Sequence, residues 1–434
     1  KLCFLDVPKC LIRHSFFVPK KIERRILKMK KLSKKQKLIG FIAILLVAVI
    51  IAIVITTSII KNNNQVANEG YAATSANAGS SLISNYILNG ITIGGITGKM
   101  DVLNTLDATA KPEDIAKGKT AYVNGVKITG IREPSLSEIN GNETENTETK
   151  DKYGNKIVIP AGFKVVNPNV DVTKGIIIED VSAGDSNTKG SQFVWIPVGD
   201  IYTSAEHTEE NKVTITLGRY SFASDGTPSP YSGSYTEDTA ESHNSSYGNV
   251  IAKDINDFIE KANSSNGYYL GRYELGDATA TTSQHTSYGT SNPITCKAGV
   301  YPYNYITQSQ ASSLCRGMYS SSSFESDLIN SYAWDTAIVF IQEFSGDTDY
   351  SMQVGRNTAR AVRKCGESIL DYNLDEGDLA QDVRCNIYDM AGNTYEWSTE
   401  TYSNTVLHCV PRGGYYDSSL GYTKDRYSRD TAFS

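Results

Sequence analysis

Residues 386–414, NIYDMAGNTYEWSTETYSNTVLHCVPRGG, form the stretch from which the fold and the function are predicted. Ligands made only of oxygen suit Ca²⁺ and do not suit zinc or copper. We therefore expect a structural Ca²⁺ site that pins this loop. The alternative is that Asn393 and neighbouring donors satisfy the loop without metal. The expected ligands are two carboxylates and two main-chain carbonyls, spaced to converge on one turn: Asp389, Glu396, Gly392 and Thr394.

The same stretch resembles a known family. Residues 389–397, DMAGNTYEW, are similar to the D-M-x-G-N-x-x-E-W signature of the formylglycine-generating enzyme (sulfatase-modifying factor) family, and Arg412-Gly413-Gly414 is similar to that family's next landmark. Residues 193–199, FVWIPVG, resemble its opening strand. The resemblance implies an α+β fold of the C-type lectin-like, formylglycine-generating type for residues 151–434. It also implies that the chain stops before the domain's last strand.

The resemblance does not extend to the oxidase chemistry. The family's enzymes hold copper with two cysteines, and the matching positions here are Ser418 and Thr423. Neither side chain supplies the thiolate that copper(I) requires. We therefore expect a non-catalytic member of the family, with a sulfatase-modifying-factor-type oxidoreductase as the first alternative. A structural surface or pilus-like component is the second.

The end of the chain predicts a binding surface. Tyrosine offers a large contact area at low entropic cost, and short polar residues adapt their hydrogen bonds. In relatives of this fold that retroelements diversify, this region is the variable one, so a diversity-generating retroelement variable protein is one reading. The alternative is an ordinary polar loop. The expected ligand is an extracellular protein or a glycan, held by Tyr415, Tyr416, Asp417, Ser419, Tyr422, Lys424, Arg426, Tyr427 and Arg429.

An uncharged apolar run, residues 38–60, predicts a single transmembrane helix. At about 1.5 Å per residue it covers a hydrocarbon core of roughly 30 Å, and it is longer than a signal-peptide core, the competing reading. Lysines crowd the preceding side, so residues 1–37 are expected in the cytoplasm and the C-terminal domain outside the cell. Met29 is the first methionine. Residues 1–28 are therefore expected to lie upstream of the natural start, or the N-terminus is incomplete.

Two glycine-punctuated units follow in residues 61–134, the predicted stalk. Residues 87–98 and 121–130 each contain Asn-Gly between β-branched residues, which predicts type I′ hairpins at Asn89-Gly90 and Asn124-Gly125. The second unit is similar to units of phage tail and bacterial surface proteins. Residues 135–150 are polar and acidic without an apolar period, so we predict a linker there.

Composition limits the partners. The net charge is −6 although the segment before the apolar run is basic, so the rest of the chain is acidic and a nucleic-acid partner is not expected. Five of the seven cysteines follow the apolar run, and their pairing stays open.

Helices are predicted over residues 254–262, capped by Asp254, over residues 307–318, and over residues 326–344, capped by Ser326.

Overall fold

The computed structural model falls into two compact units, residues 1–10 with 109–434, and residues 11–108. Within them it describes residues 3–6, 89–93, 95–99, 105–182, 187–237, 252–283, 292–354, 362–367, 383–402, 409–415 and 421–427. The strands of this part of the chain are β1 (Cys3–Asp6), β2 (Thr92–Ile93), β3 (Ile96–Thr97), β4 (Thr120–Val123), β5 (Val126–Thr129), β6 (Thr147–Lys150), β7 (Lys156–Ile159), β8 (Phe163–Val165), β9 (Ile177–Asp180), β10 (Gln192–Pro197), β11 (Gly199–Tyr202), β12 (Lys212–Ile215), β13 (Tyr220–Phe222), β14 (Pro228–Pro230), β15 (Gly267–Gly271), β16 (Gly276–Asp277), β17 (Ile294–Thr295), β18 (Glu325–Leu328), β19 (Val383–Arg384), β20 (Ile387–Tyr388), β21 (Glu396–Thr401) and β22 (Cys409–Arg412).

The central sheet of the larger unit has six antiparallel strands in the order β18-β1-β15-β10-β9-β8. Both of its faces are buried, which explains why β10 is continuously apolar. Phe193 and Trp195 pack into the core on one face, whereas Val194 and Ile196 pack into the core on the other. Successive side chains of a strand point to opposite faces, so a strand covered on both sides has no polar alternation.

Three α-helices occur among the described residues: α1 (Ile255–Ser265), α2 (Gln308–Met318) and α3 (Ser331–Phe344). The first two begin as predicted, with Asp254 and Thr307 as side-chain N-caps. The third prediction was wrong at its start. Ser326 lies in β18, and Asn330 caps α3 by accepting a hydrogen bond from the Ala333 N–H.

The predicted fold class was wrong. We expected an α+β, C-type lectin-like fold behind a single transmembrane helix, and the described residues form mostly short antiparallel strands with three helices. The strands are short because glycine, proline and aspartate interrupt each apolar run after a few residues. None of the helices in the described residues is long and apolar enough to cross a membrane. The predicted membrane helix, residues 38–60, lies outside the described residues.

The stalk and linker predictions have mixed outcomes. The hairpin β4–β5 turns at Asn124 and Gly125 with φ of 49° and 77°, as a type I′ turn requires. In the first unit the strands β2 and β3 instead flank Gly95, whose φ is 81°. Residues 135–150, the expected linker, bury Leu136 and Ile139 in the core and supply β6, which pairs with β7.

Candidate functional site

The loop before β21 is built from backbone that few residues adopt. Asp389 and Asn393 have φ of 57° and 65°, and both side chains are buried. Asparagine and aspartate tolerate this left-handed region better than most residues. The loop leads directly into Trp397, whose indole N–H donates to the Ile306 carbonyl over 2.8 Å beneath it. Trp397 is buried, whereas Tyr395 is only partly buried.

Glu274 is the loop's main partner, and the sequence analysis did not single it out. It lies just after β15 and accepts hydrogen bonds from Thr394, through the main-chain N–H at 3.0 Å and the hydroxyl at 2.6 Å, and from the Asn393 amide. Burial, and then the negative charge of Glu396, raise the pKa of Glu274 to about 7. The only clue in the sequence was a glutamate directly after an otherwise apolar and aromatic strand.

One of the predicted metal ligands, Asp389, lies beside a cation. The Arg363 guanidinium lies 3.3 Å from an Asp389 carboxylate oxygen, and the Arg363 N–H donates to the Asn393 side-chain oxygen over 2.8 Å. Glu396 is buried beside Gly413. No group of three metal-binding side chains suited to an ion occurs in the described part of the chain. Carboxylate oxygens fit calcium chemically. The positive charge beside Asp389 opposes a second cation there, and the Ca²⁺ site stays a prediction.

A buried arginine cluster lies behind the loop. Its members are Arg219, Arg412 and Arg426, which pair with Asp335 and Glu400. Arg412 reaches Asp335 at 2.5 Å and Glu400 at 2.6 Å, and neither Arg412 nor its two partners has any exposed side-chain surface. Arg426 contacts the same two carboxylates, and Arg219 lies 2.8 Å from Glu400.

The arginines of the cluster lower the pKa of Glu400. Burial pushes the pKa of Glu400 upward, but Arg426, Arg412 and Arg219 together outweigh it and hold that pKa at about 2. Glu237 accepts from the Ser331 N–H at the start of α3 and from the Thr399 hydroxyl, but these hydrogen bonds and the charge of Arg219 compensate its burial only in part. Burial and the charge of Glu400 raise the pKa of Glu237 to about 7.

The predicted ligand-binding residues divide into three groups. Arg426 points into the arginine cluster, and its side chain is only 6% exposed. Tyr415, Tyr422, Lys424 and Tyr427 are partly exposed and lie at the surface. The remaining predicted residues, Tyr416, Asp417, Ser419 and Arg429, lie outside the described residues.

Three tyrosines gather at this surface. The Tyr395 ring lies 4.8 Å from the Tyr415 ring and 5.0 Å from the Tyr427 ring, centre to centre. We name Tyr395, Tyr415 and Tyr427 the tyrosine cluster. Asp425 borders it and accepts hydrogen bonds at one carboxylate oxygen from the Tyr427 hydroxyl and the Tyr422 N–H, both over 2.9 Å. Tyr415 and Tyr427 are among the predicted ligand-binding residues, whereas Tyr395 and Asp425 are not.

The positions that match the family's copper cysteines offer no redox chemistry where they are described. Thr423 is fully buried, its carbonyl accepts from the Trp334 indole, and its hydroxyl donates to the Gln353 carbonyl over 3.4 Å. Ser418 lies outside the described residues. In the described part of the chain, Cys296, Cys315, Cys365, Cys385 and Cys409 form no disulfides with one another.

The comparisons with known proteins give no independent assignment. No protein-family model matches the chain, and no curated protein and no solved structure matches it. The resemblance to the formylglycine-generating family therefore stays a prediction that depends on the short motifs in residues 386–414.

Proposed function

We propose that this chain is a surface-displayed ligand-binding protein that recognises an extracellular protein or glycan. The observation that supports the proposal is the tyrosine cluster: three partly exposed rings packed at fixed angles beside a carboxylate. Rings already packed against each other lose little side-chain entropy on binding, so they hold a ligand efficiently.

The support behind the cluster is rigid. Arg412 donates to the Asp425 carbonyl over 3.1 Å, and Lys424 N–H donates to the Ser351 carbonyl over 3.1 Å, so residues 421–427 are tied to the buried arginine cluster and to the segment after α3. A binding surface held by buried ion pairs is preorganised, which lowers the entropy cost of binding. We place the binding surface outside the cell, with residues 38–60 in the membrane.

A binding screen tests the proposal. The full-length chain, in a detergent without a sugar headgroup, is presented to arrays of extracellular proteins and of glycans. Any captured ligand is then titrated against Tyr415→Ala and Tyr427→Ala. Each variant removes one ring and is expected to weaken binding at least about fivefold, because aromatic anchors typically contribute more than about 1 kcal/mol.

The matched control is Tyr122→Ala, which removes a tyrosine that is 60% exposed on the β4–β5 hairpin. It is expected to bind like the unmodified chain. Capture that is equally strong in all three variants would remove the tyrosine cluster from the function. Capture of no ligand by the unmodified chain would favour a structural surface component.

The retroelement hypothesis has a separate test in the neighbouring DNA. A near-copy of the coding region for residues 414–434 beside a reverse transcriptase gene, differing chiefly at adenines, is expected if the surface is diversified. Its absence would leave a binder of fixed specificity.

A further inference from the structure

We propose that the ligand of the tyrosine cluster is a neutral carbohydrate and that Tyr395 and Asp425 belong to its binding site. This inference rests on the proposed function, and it names both the ligand class and two residues that the sequence did not assign. It depends on the geometry of the three rings, on one oxygen of the Asp425 carboxylate and on the scarcity of strongly exposed hydrophobic side chains among the described residues of this segment.

The three rings can stack against a ligand, but they do not surround one. Tyr395 contacts both other rings, with interplanar angles of 39° to Tyr415 and 61° to Tyr427. Rings packed this closely leave no space between them for an ammonium group, so a cation enclosed by aromatic faces does not fit. The faces of aromatic rings carry partial negative charge and attract weakly positive C–H groups. One side of a sugar ring presents a set of such C–H groups.

Asp425 supplies a hydrogen-bond acceptor to the proposed site. One of its carboxylate oxygens is held by the Tyr427 hydroxyl and the Tyr422 N–H. Within the described part of the chain, no group donates to the other oxygen, Oδ1, and the residue is partly exposed. A carboxylate only accepts hydrogen bonds, so it selects a ligand rich in donors, such as a sugar with several hydroxyls. Its negative charge disfavours an acidic sugar.

The surrounding surface fits a small polar ligand better than a protein. A stable protein interface covers about 800 Å² on each partner and has an apolar centre. Within residues 409–415 and 421–427, no large hydrophobic side chain is strongly exposed. Each of the three clustered tyrosines is only partly exposed. A small number of aromatic rings beside one carboxylate is typical of a site that binds and orients a small ligand.

The test is saturation-transfer difference NMR on the full-length chain in dodecylphosphocholine micelles. The probes are neutral hexasaccharides of glucose, mannose, galactose and N-acetylglucosamine, with a sialylated trisaccharide as the acidic comparison. We expect saturation of ring C–H protons in at least one neutral probe and none in the acidic one. Tyr395→Ala is expected to weaken the positive probe at least tenfold. Asp425→Asn, which keeps the side-chain shape, is expected to weaken it about tenfold by removing a charged acceptor.

A control variant away from the site separates binding from folding. Tyr427→Phe keeps the ring and removes one of the two donors that hold Asp425, so it should weaken the positive probe, but less than Tyr395→Ala does. Tyr122→Ala should change nothing. No transfer to any neutral probe, or transfer that survives both Tyr395→Ala and Asp425→Asn, overturns the carbohydrate assignment. If the screen above then finds a protein ligand that depends on Tyr415, the proposed function stands and only this inference fails.

Discussion

Replacing Arg412 tests whether the buried arginine cluster holds the binding surface in place. Arg412→Met keeps the length of the side chain and removes its charge and donors. The unmodified side chain has no exposed surface and reaches Asp335 at 2.5 Å, Glu400 at 2.6 Å and the Asp425 carbonyl at 3.1 Å. Removing one partner of a buried ion pair typically costs about 3–5 kcal/mol. Arg426 still neutralises both acids, so we expect the lower end, about 3 kcal/mol.

Urea unfolding of the full-length chain, followed by tryptophan fluorescence, measures this loss. Three tryptophans contribute to the signal, and one of them, Trp334, reports from beside the cluster, because the Arg412 guanidinium lies 5.3 Å from its ring. The matched control is Lys164→Met, which removes an exposed ion pair to Glu179 of 2.8 Å and is expected to cost only about 0–1 kcal/mol. Equal losses in the two variants would refute the reasoning, since the buried cluster would then contribute no more than a surface pair.

The same variant should change the response to acid. The arginines hold the pKa of Glu400 at about 2 in the folded chain, below its ordinary value of 4.5. A carboxylate with a depressed pKa contributes stability that is present above its unfolded pKa and is lost as the pH falls toward its folded pKa. The unmodified chain therefore loses this contribution between about pH 4.5 and pH 2. Without Arg412 the pKa of Glu400 rises, and acid unfolding should begin at a higher pH.

Three further predictions concern the site. Burial raises the pKa of Glu237 to about 7, so the unmodified chain should lose stability as the pH rises from about 4.5 to 7. Glu237→Gln should reduce this loss, which is measured as the difference between the urea midpoints at pH 5 and pH 8. Gly413→Ala should cost more than about 2 kcal/mol, because φ is 74° and the new Cβ would meet the Met390 carbonyl at 2.6 Å; Gly125→Ala, with φ of 77° and open space, should cost only about 1 kcal/mol. If Ca²⁺ binds the folded loop, adding EGTA should lower the melting temperature of the unmodified chain and leave that of Glu396→Gln unchanged, whereas no effect on either would favour a loop held by protein donors alone.

The sequence predicted the features that local chemistry determines. Asp254 caps its helix because its side chain accepts from an N–H three residues on, and Asn124-Gly125 turns because both residues tolerate positive φ. Ser326 is also a residue type that caps helices, but it lies in β18, which pairs with the neighbouring strand of the sheet. Tertiary pairing there overrode a local preference.

The chemistry of the candidate site was less predictable because it is made by distant residues. Glu274 meets Asn393 across 119 positions of the chain, and Arg412 meets Asp335 across 77. No spacing rule connects such positions, and a buried carboxylate looks like any other acidic residue in a sequence. The prediction of the overall fold was wrong for a related reason. Short motifs indicated a family, whereas the strand pairing depends on the whole chain.

The position of β1 has a consequence for how the chain can be arranged at a membrane. β1 lies between β15 and β18 and pairs with both. A chain that crosses the bilayer once, through residues 38–60, keeps residues 3–6 on the side opposite the sheet. The facing edges of β15 and β18 then expose their main-chain donors and acceptors across the width of one missing strand, about 10 Å. Such a gap accepts an extended segment from a neighbouring molecule, so an anchored population would be prone to join through exchanged strands.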